Sequence, residues 1–281
     1  YNLARFMMPI EDGGDRLRAG FRTVARVAVP TIAWAAVGLM LGVSYGVGTV
    51  LLVNNYVGPA SHAGDHWHFW FIEVLVHLVV AVTLLLAIPP VRRLERRFPY
   101  ALPLALLAGT LVMRMEWAWL DDWYNLRFRT HGIAWFFVLG WLVQRSESIG
   151  KKLLTSVLVA LLVPDFFRYA PREWFIVVAL VALVWFREVP VPRRIVPLVS
   201  TVAAASMWIL ITHFTIWPPL TRAFPLPVAY LATLAAGVVI WFAVDRTTSA
   251  VSALVRRAVG GRANRRSSLH ISDPHGVVVP A

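Results

Sequence analysis

Residues 62 to 77 read "HAGDHWHFWFIEVLVH" and hold four of the chain's eight histidines, together with Asp65 and Glu73. Histidine changes its protonation near neutral pH, so it is the side chain best suited to move protons there. The stretch runs straight into "LVVAVTLLLAIPP", an apolar helix. Positions 66, 70, 73 and 77 step by four, three and four, which puts His66, Trp70, Glu73 and His77 on one helical face. A carboxylate in hydrocarbon is costly, so Glu73 is expected to face the bundle interior or a wet cavity, with an Ile/Val/Leu face left for lipid. His77 would lie about 15 Å down the helix at 1.5 Å per residue; a buried histidine bonded to a neighbour explains it equally well.

The segment "EWAWLDDWYNLRFRTH", residues 116 to 131, brings Asp121, Asp122, Arg127 and Arg129 to the same side. A solvated loop with its own ion pairs also accounts for these charges. His213, in "WILITHFTIWPPL", sits about 6 Å below a helix mouth by the same rise. His62, Asp65, His66 and His68 could supply zinc ligands. His66 and His68, two apart, point away from each other on a helix, and no HExxH occurs, so no metal site is expected.

The elements that carry these groups are apolar. Of 281 residues, 58% are hydrophobic, and runs such as "VTLLLAI", "LLTSVLVALLV" and "FIVVALVALVWF" recur. Such runs predict an all-α polytopic membrane protein. Eight spans are expected, near 24–53, 67–90, 99–116, 130–145, 151–164, 173–187, 195–217 and 226–246. The weakest, 151–164, closes at Pro164; a re-entrant or interfacial helix is the alternative there.

Charge supports the count. With eight spans, 21 of the 27 Lys and Arg fall on one face of the membrane and six on the other. Basic loops stay in the cytoplasm, so both termini are predicted to be cytoplasmic, in a cell membrane. The net charge of +12 then reads as topogenic charge and attraction to anionic membrane lipids, with no nucleic-acid partner. The absence of cysteine excludes disulfides, thiolate nucleophiles and Cys-based metal sites. Arg makes up 25 of the 27 positive residues, as in the proteins of GC-rich bacteria. No internal repeat or phosphate-cradling glycine loop is present. Residues 1–250 read as one transmembrane domain, and 251–281 as a basic tail without periodicity, expected to be disordered.

These segments resemble the acyltransferase 3 family of membrane O-acyltransferases. "YNLARF" looks like the end of that family's second span, and "FRTVARVAVP" is similar to the basic lead into its third, with Arg22, Arg26 and Pro30 on the motif. "HFWFIEVLVHLVVAVTLLLAIPPVRRLERRFP" resembles the fourth span and its basic turn, with Trp70 and Glu73 on the motif. "ASMWILITHFTIWPPL" resembles the ninth, whose His would be His213. The resemblance implies a ten-helix core of which this chain carries eight, with the family's signature Arg and catalytic His on a first span upstream of residue 1. It also implies acyl transfer, of acetyl above all, from a CoA thioester to a hydroxyl of a cell-envelope glycan or lipid. Acyl-CoA is the donor co-substrate, and no bound cofactor is expected. His213, Glu73 and His68 are the catalytic candidates of this chain. Arg22 and Arg26 are candidates for the donor's phosphates, and His66, Trp70, Asp122 and Arg127 for the acceptor. A proton-coupled transporter is the rival reading, with Glu73 and His77 as a relay, although no matching pair of broken helices supports it.

Overall fold

The computed structural model describes residues 10, 12–58, 67–117, 126–186, 188 and 190–269. Every regular element among them is helical, and contacts divide the chain into two units, at Pro192.

The first unit holds α1 (Gly13–Met40), short α2 (Val47–Leu51) and α3 (Asn54–Val57), α4 (Trp70–Ala87), α5 (Pro89–Arg97), α6 (Ala101–Trp117), α7 (Thr130–Arg145), α8 (Ile149–Leu162) and α9 (Ala170–Trp185). Asp12 starts α1 by accepting the Asp15 amide at 2.8 Å. The Asp15 and Gly14 amides hold this exposed carboxyl below the usual carboxylate range. Gly42, at φ +81°, lies in the turn that ends the helix. Pro89 and Pro90 separate α4 from α5, because Ile88 before them is held extended. α5 then meets α6 at 115°.

The unit is built around α7. Ten of its 16 residues are buried, and Trp135, Leu139 and Leu142 are wholly enclosed. A helix apolar all round belongs inside a bundle. α4, α6, α8 and α9 all pack on it. α1 instead packs on α4, where Gly20 lies so close to Thr83 that a side chain at position 20 would collide with it.

The second unit is a hairpin of α10 (Val196–Ala223) and α11 (Leu226–Leu269), joined by Phe224 and Pro225. Gly237 lets the two helices close on Ile209, whose Cα would lie 2.7 Å from an added Cβ.

Seven of the eight predicted spans each correspond to one helix, while the first, 24–53, breaks after Met40 and takes in α2 as well; the count of membrane-crossing helices is lower. Among the described residues four are long and apolar enough: α1, α4, α10 and residues 226–251 of α11; the bent α5–α6 pair makes five. α7, α8 and α9 have 16, 14 and 16 residues, about 21–24 Å at 1.5 Å per residue, against a hydrocarbon core of about 30 Å. The expectation of eight full spans is therefore corrected.

Other boundaries differ too. The first span was expected from residue 24 but starts at Gly13, because the Asp12 cap carries the helix through the basic segment. Residues 251–269 of the tail expected to be disordered continue α11, where Ala, Leu and Arg favour helix and no proline interrupts; the rest of that tail lies outside the described residues. The face of α4 expected to meet lipid is a narrow strip of Phe71, Ala81, Leu84 and Ile88, since Ile72, Val79, Val82 and Leu86 are buried against neighbouring helices.

Candidate functional site

The first unit has polar centres at the two ends of α7. At the Thr130 end Glu73 is buried at 1% exposure, as its position in the predicted stripe requires. Its Oε1 accepts the Asn55 amide at 2.6 Å and Asn55 Nδ2 at 3.0 Å. The same asparagine takes the Thr130 amide on Oδ1 at 2.8 Å, with the Thr130 hydroxyl at 3.3 Å. Its backbone carbonyl takes the Arg129 guanidinium at 2.7 Å. Asn55 is thus polarised between an anion on its amide and a cation on its carbonyl.

Thr130 carries the chain of bonds onward to His77, whose Nδ1 lies 3.0 Å from its hydroxyl. The other ring nitrogen, Nε2, lies 2.9 Å from the Leu52 carbonyl, so it must donate. In the neutral ring this leaves Nδ1 as the acceptor. The single Thr130 hydroxyl proton can then serve either Nδ1 or Asn55. Leu52 is held at φ +55°, a left-handed conformation costly for a branched side chain, and is buried at 4%.

Beside this network lies a cavity of about 740 Å³. Its walls include Arg114, Arg127, Phe166, Arg168, Tyr169 and Glu173, drawn from the end of α6, the segment before α7, the turn between α8 and α9 and the first turn of α9. Glu173 shapes that turn. Buried at 3%, it accepts the Asp165 amide on Oε2 at 2.9 Å and the Phe167 amide on Oε1 at 2.6 Å. Asp165 and Arg168 both take left-handed backbone, at φ +63° and +56°. Arg127 donates to the Phe167 carbonyl at 3.1 Å and lies over the Phe128 ring. Phe128 meets Trp70 edge-on with centroids 5.0 Å apart, which ties the predicted stripe to the cavity wall.

The Arg145 end is different. Glu95, 1% exposed, pairs with the Arg145 guanidinium. Arg16, also buried, donates to the Ile10 carbonyl through Nε at 3.0 Å and Nη2 at 2.5 Å. It stands within electrostatic reach of Glu95, Arg92, Arg96 and Arg145. Gly13 leaves room for the Arg92 guanidinium. Nearby, Thr155 Oγ1 binds both Tyr100 Oη at 2.9 Å and Ser146 Oγ at 2.8 Å.

Of the sequence-predicted residues, Glu73, Trp70 and Arg127 gather at the Thr130 end. His68 lies just before α4, its ring 6.0 Å from that of Tyr45. Arg22 and Arg26 stay exposed on α1. His66 and Asp122 lie outside the described residues, as do His62, Asp65 and Asp121. Among the described residues no group of His, Asp and Glu gathers to hold a metal ion. His213, in the second unit, places Nδ1 2.6 Å from the Leu210 carbonyl. That bond makes Nδ1 the donor and leaves Nε2 of the neutral ring as an acceptor. Asn55, Thr130, Arg114, Glu173 and the Glu95 group were not singled out in the sequence. The pair Asn54-Asn55 in apolar surroundings was the available signal for the first of them.

Comparison with protein-family models, with curated proteins and with solved structures found no match to this chain. The apolar helices make it a membrane protein; its chemistry rests on the residues themselves.

Proposed function

We propose that the chain is an integral membrane O-acyltransferase, moving an acyl group, acetyl foremost, from a CoA thioester to a hydroxyl of an envelope glycan or lipid. The observation that carries this reading is the pair of unlike polar centres at the two ends of α7, about 24 Å apart by helix rise. Arg16, Arg92, Arg96 and Arg145 form a cationic end suited to the phosphates of an acyl-CoA. The cavity at the other end has the size and mixed lining of an acceptor site. Arg92, Arg93, Arg96, Arg97, Lys151 and Lys152 flank the Arg145 end, which by the positive-inside rule faces the cytoplasm, where acyl-CoA is found. The flexible pantetheine arm is the part of the donor that would enter the bundle. The resemblance to the acyltransferase 3 family points the same way.

Chemically, a base takes the acceptor's hydroxyl proton while the oxygen attacks the thioester carbonyl. The C–S bond breaks, and the CoA thiolate leaves and recovers the proton. Among this chain's catalytic candidates His213, in the second unit, has an Nε2 able to accept a proton. Glu73 serves as a positioning residue, holding Asn55 and Thr130 in place.

The continuous chain from Glu73 through Asn55 and Thr130 to His77 favours a second reading, a proton-coupled transporter. Radiolabelled acetyl-CoA supplied to membranes containing the full gene product separates the two. Acyl transfer predicts label in a membrane-associated acceptor, reduced roughly tenfold or more by Glu73→Gln or His213→Ala. Absence of label, together with a solute flux abolished by a protonophore and by Glu73→Gln, would establish the transporter instead.

A further inference from the structure

The short helices α8 and α9 form an antiparallel hairpin, because Lys152 and Ser156 near the start of α8 meet Trp185 at the end of α9. We propose that the exposed face of this hairpin is a lipid-binding surface matched to a bilayer thinner than the ordinary one, and that it thins the membrane along that side of the first unit. This property is independent of acyl transfer.

Length comes first. Residues 153–164 and 174–186 carry no charged side chain, and these runs measure about 18 and 20 Å at 1.5 Å per residue. An ordinary hydrocarbon core is about 30 Å thick. The face is also finished for lipid at both ends. Val178, Ala179 and Leu183 are exposed in the middle of α9, with Trp174 and Phe175 exposed at one end and Trp185 and Phe186 at the other. Aromatic girdles of this kind mark the two membrane–water interfaces. Here Trp174 and Trp185 are eleven residues apart, about 17 Å. Exposed Leu153, Val157 and Leu161 widen the aliphatic strip on α8. Lys151 and Lys152 stand beyond one end, and exposed Arg168 and Arg172 beyond the other, where headgroup phosphates lie. Close packing against another helix in a membrane uses small residues, whereas this strip is mostly Leu, Val, Phe and Trp.

The hairpin cannot lengthen to fit a thicker bilayer. Thr155 Oγ1 lies 2.8 Å from Ser146 Oγ and 2.9 Å from Tyr100 Oη, which pins the start of α8 to the end of α7. At the other end Glu173 accepts the Asp165 and Phe167 amides, and Arg127 donates to the Phe167 carbonyl. Flanking cations could add reach by stretching toward the headgroups. Lys152 and Arg172 are instead held on rings of their own hairpin, Trp185 at 5.4 Å and Phe167 at 4.5 Å. With a short span fixed at both ends, the lipid is the partner that yields.

The test uses the full gene product in liposomes of dioleoyl phosphatidylcholine, with single nitroxide-labelled cysteines at exposed positions. Paramagnetic depth measurements follow Phe175→Cys, Ala179→Cys, Leu183→Cys and Phe186→Cys on α9. Leu231→Cys, Ala235→Cys and Val239→Cys on α11 give the reference. Along α9 the depth is expected to rise and fall, with both ends at an interface and a maximum of about 10 Å, half the length of its uncharged run. Along α11 it should reach about 15 Å, half an ordinary core. In the thinner bilayer of dimyristoleoyl phosphatidylcholine the α11 maximum should fall while that of α9 stays unchanged. Equal maxima on the two helices, or an α9 maximum that follows the bulk thickness, would overturn the proposal. So would a depth that grows steadily toward Phe175→Cys, the mark of a hairpin that turns back inside the membrane. Labels along α9 shielded from oxygen would also overturn it, by showing the face covered by a second copy or another segment. The liposomes hold no acyl donor, so any of these failures leaves the acyl-transfer reading standing.

Discussion

Glu73 and Glu95 are equally buried, at opposite ends of one helical bundle, and are stabilised by opposite means. Glu73 rests on the amide groups of a single asparagine, with Arg129 reaching it through the far side of that residue. Glu95 meets a guanidinium directly and stands among four arginines. Fixed dipoles hold a charge in place while leaving it to interact with a newcomer; a paired cation neutralises it. The proposed acyl transfer would therefore place proton movement or hydroxyl positioning at the Thr130 end. At the Arg145 end Glu95 acts as the counter-ion that lets several arginines converge.

The most decisive way to break the comparison is to ask whether the two ends lie across a membrane. The chain has no cysteine, so single thiols can be introduced cleanly. In intact cells an impermeant maleimide should label Arg168→Cys and leave Arg93→Cys untouched until the cells are opened. Labelling of both, or of Arg93→Cys alone, would put the centres on other faces than proposed.

Stability sharpens it next. Glu95→Ala strands the Arg145 and Arg16 charges and should cost about 3 kcal/mol, the low end for a broken buried pair because Arg145 keeps some water contact. Asn55→Ala removes one donor from Glu73 and one acceptor from Thr130 while its backbone amide still serves Glu73. A loss of about 2 kcal/mol is expected. Thermal unfolding in detergent checks both. The reverse order would mean that the dipole-held carboxylate is the structural one.

The helices themselves were legible in the sequence, because apolar runs of the right period announce them wherever they end up. Their number as spans was not. Hydropathy marks where α7, α8 and α9 lie, but their caps and breaks set their lengths, and α7 is apolar all round because protein surrounds it. The burial of Glu73 followed from a four-three-four spacing within one helix. Its partner did not: Asn55 lies 18 positions away and Thr130 a further 75 from Asn55, and only tertiary packing joins them. Arg127 was visible as a charge in an aromatic loop. Glu173 was not, since its task is to bind amides of a turn that the sequence marks only by Pro164. The Glu95 cluster was hidden in plain charge: "RRLERR" reads as a basic loop, and nothing local says that its one acid points inward.

The turn at Arg168 sets stability and retention of that residue against each other. A left-handed backbone is worth about 1–2 kcal/mol to glycine over any branched or long residue. Random mutagenesis scored on heat resistance alone would tend to drift toward glycine at this position, erasing a cavity cation with each gain in robustness. A lineage that keeps arginine there against that gradient does so under selection for what the guanidinium touches, and the codon at position 168 becomes a record of whether the cavity is in use.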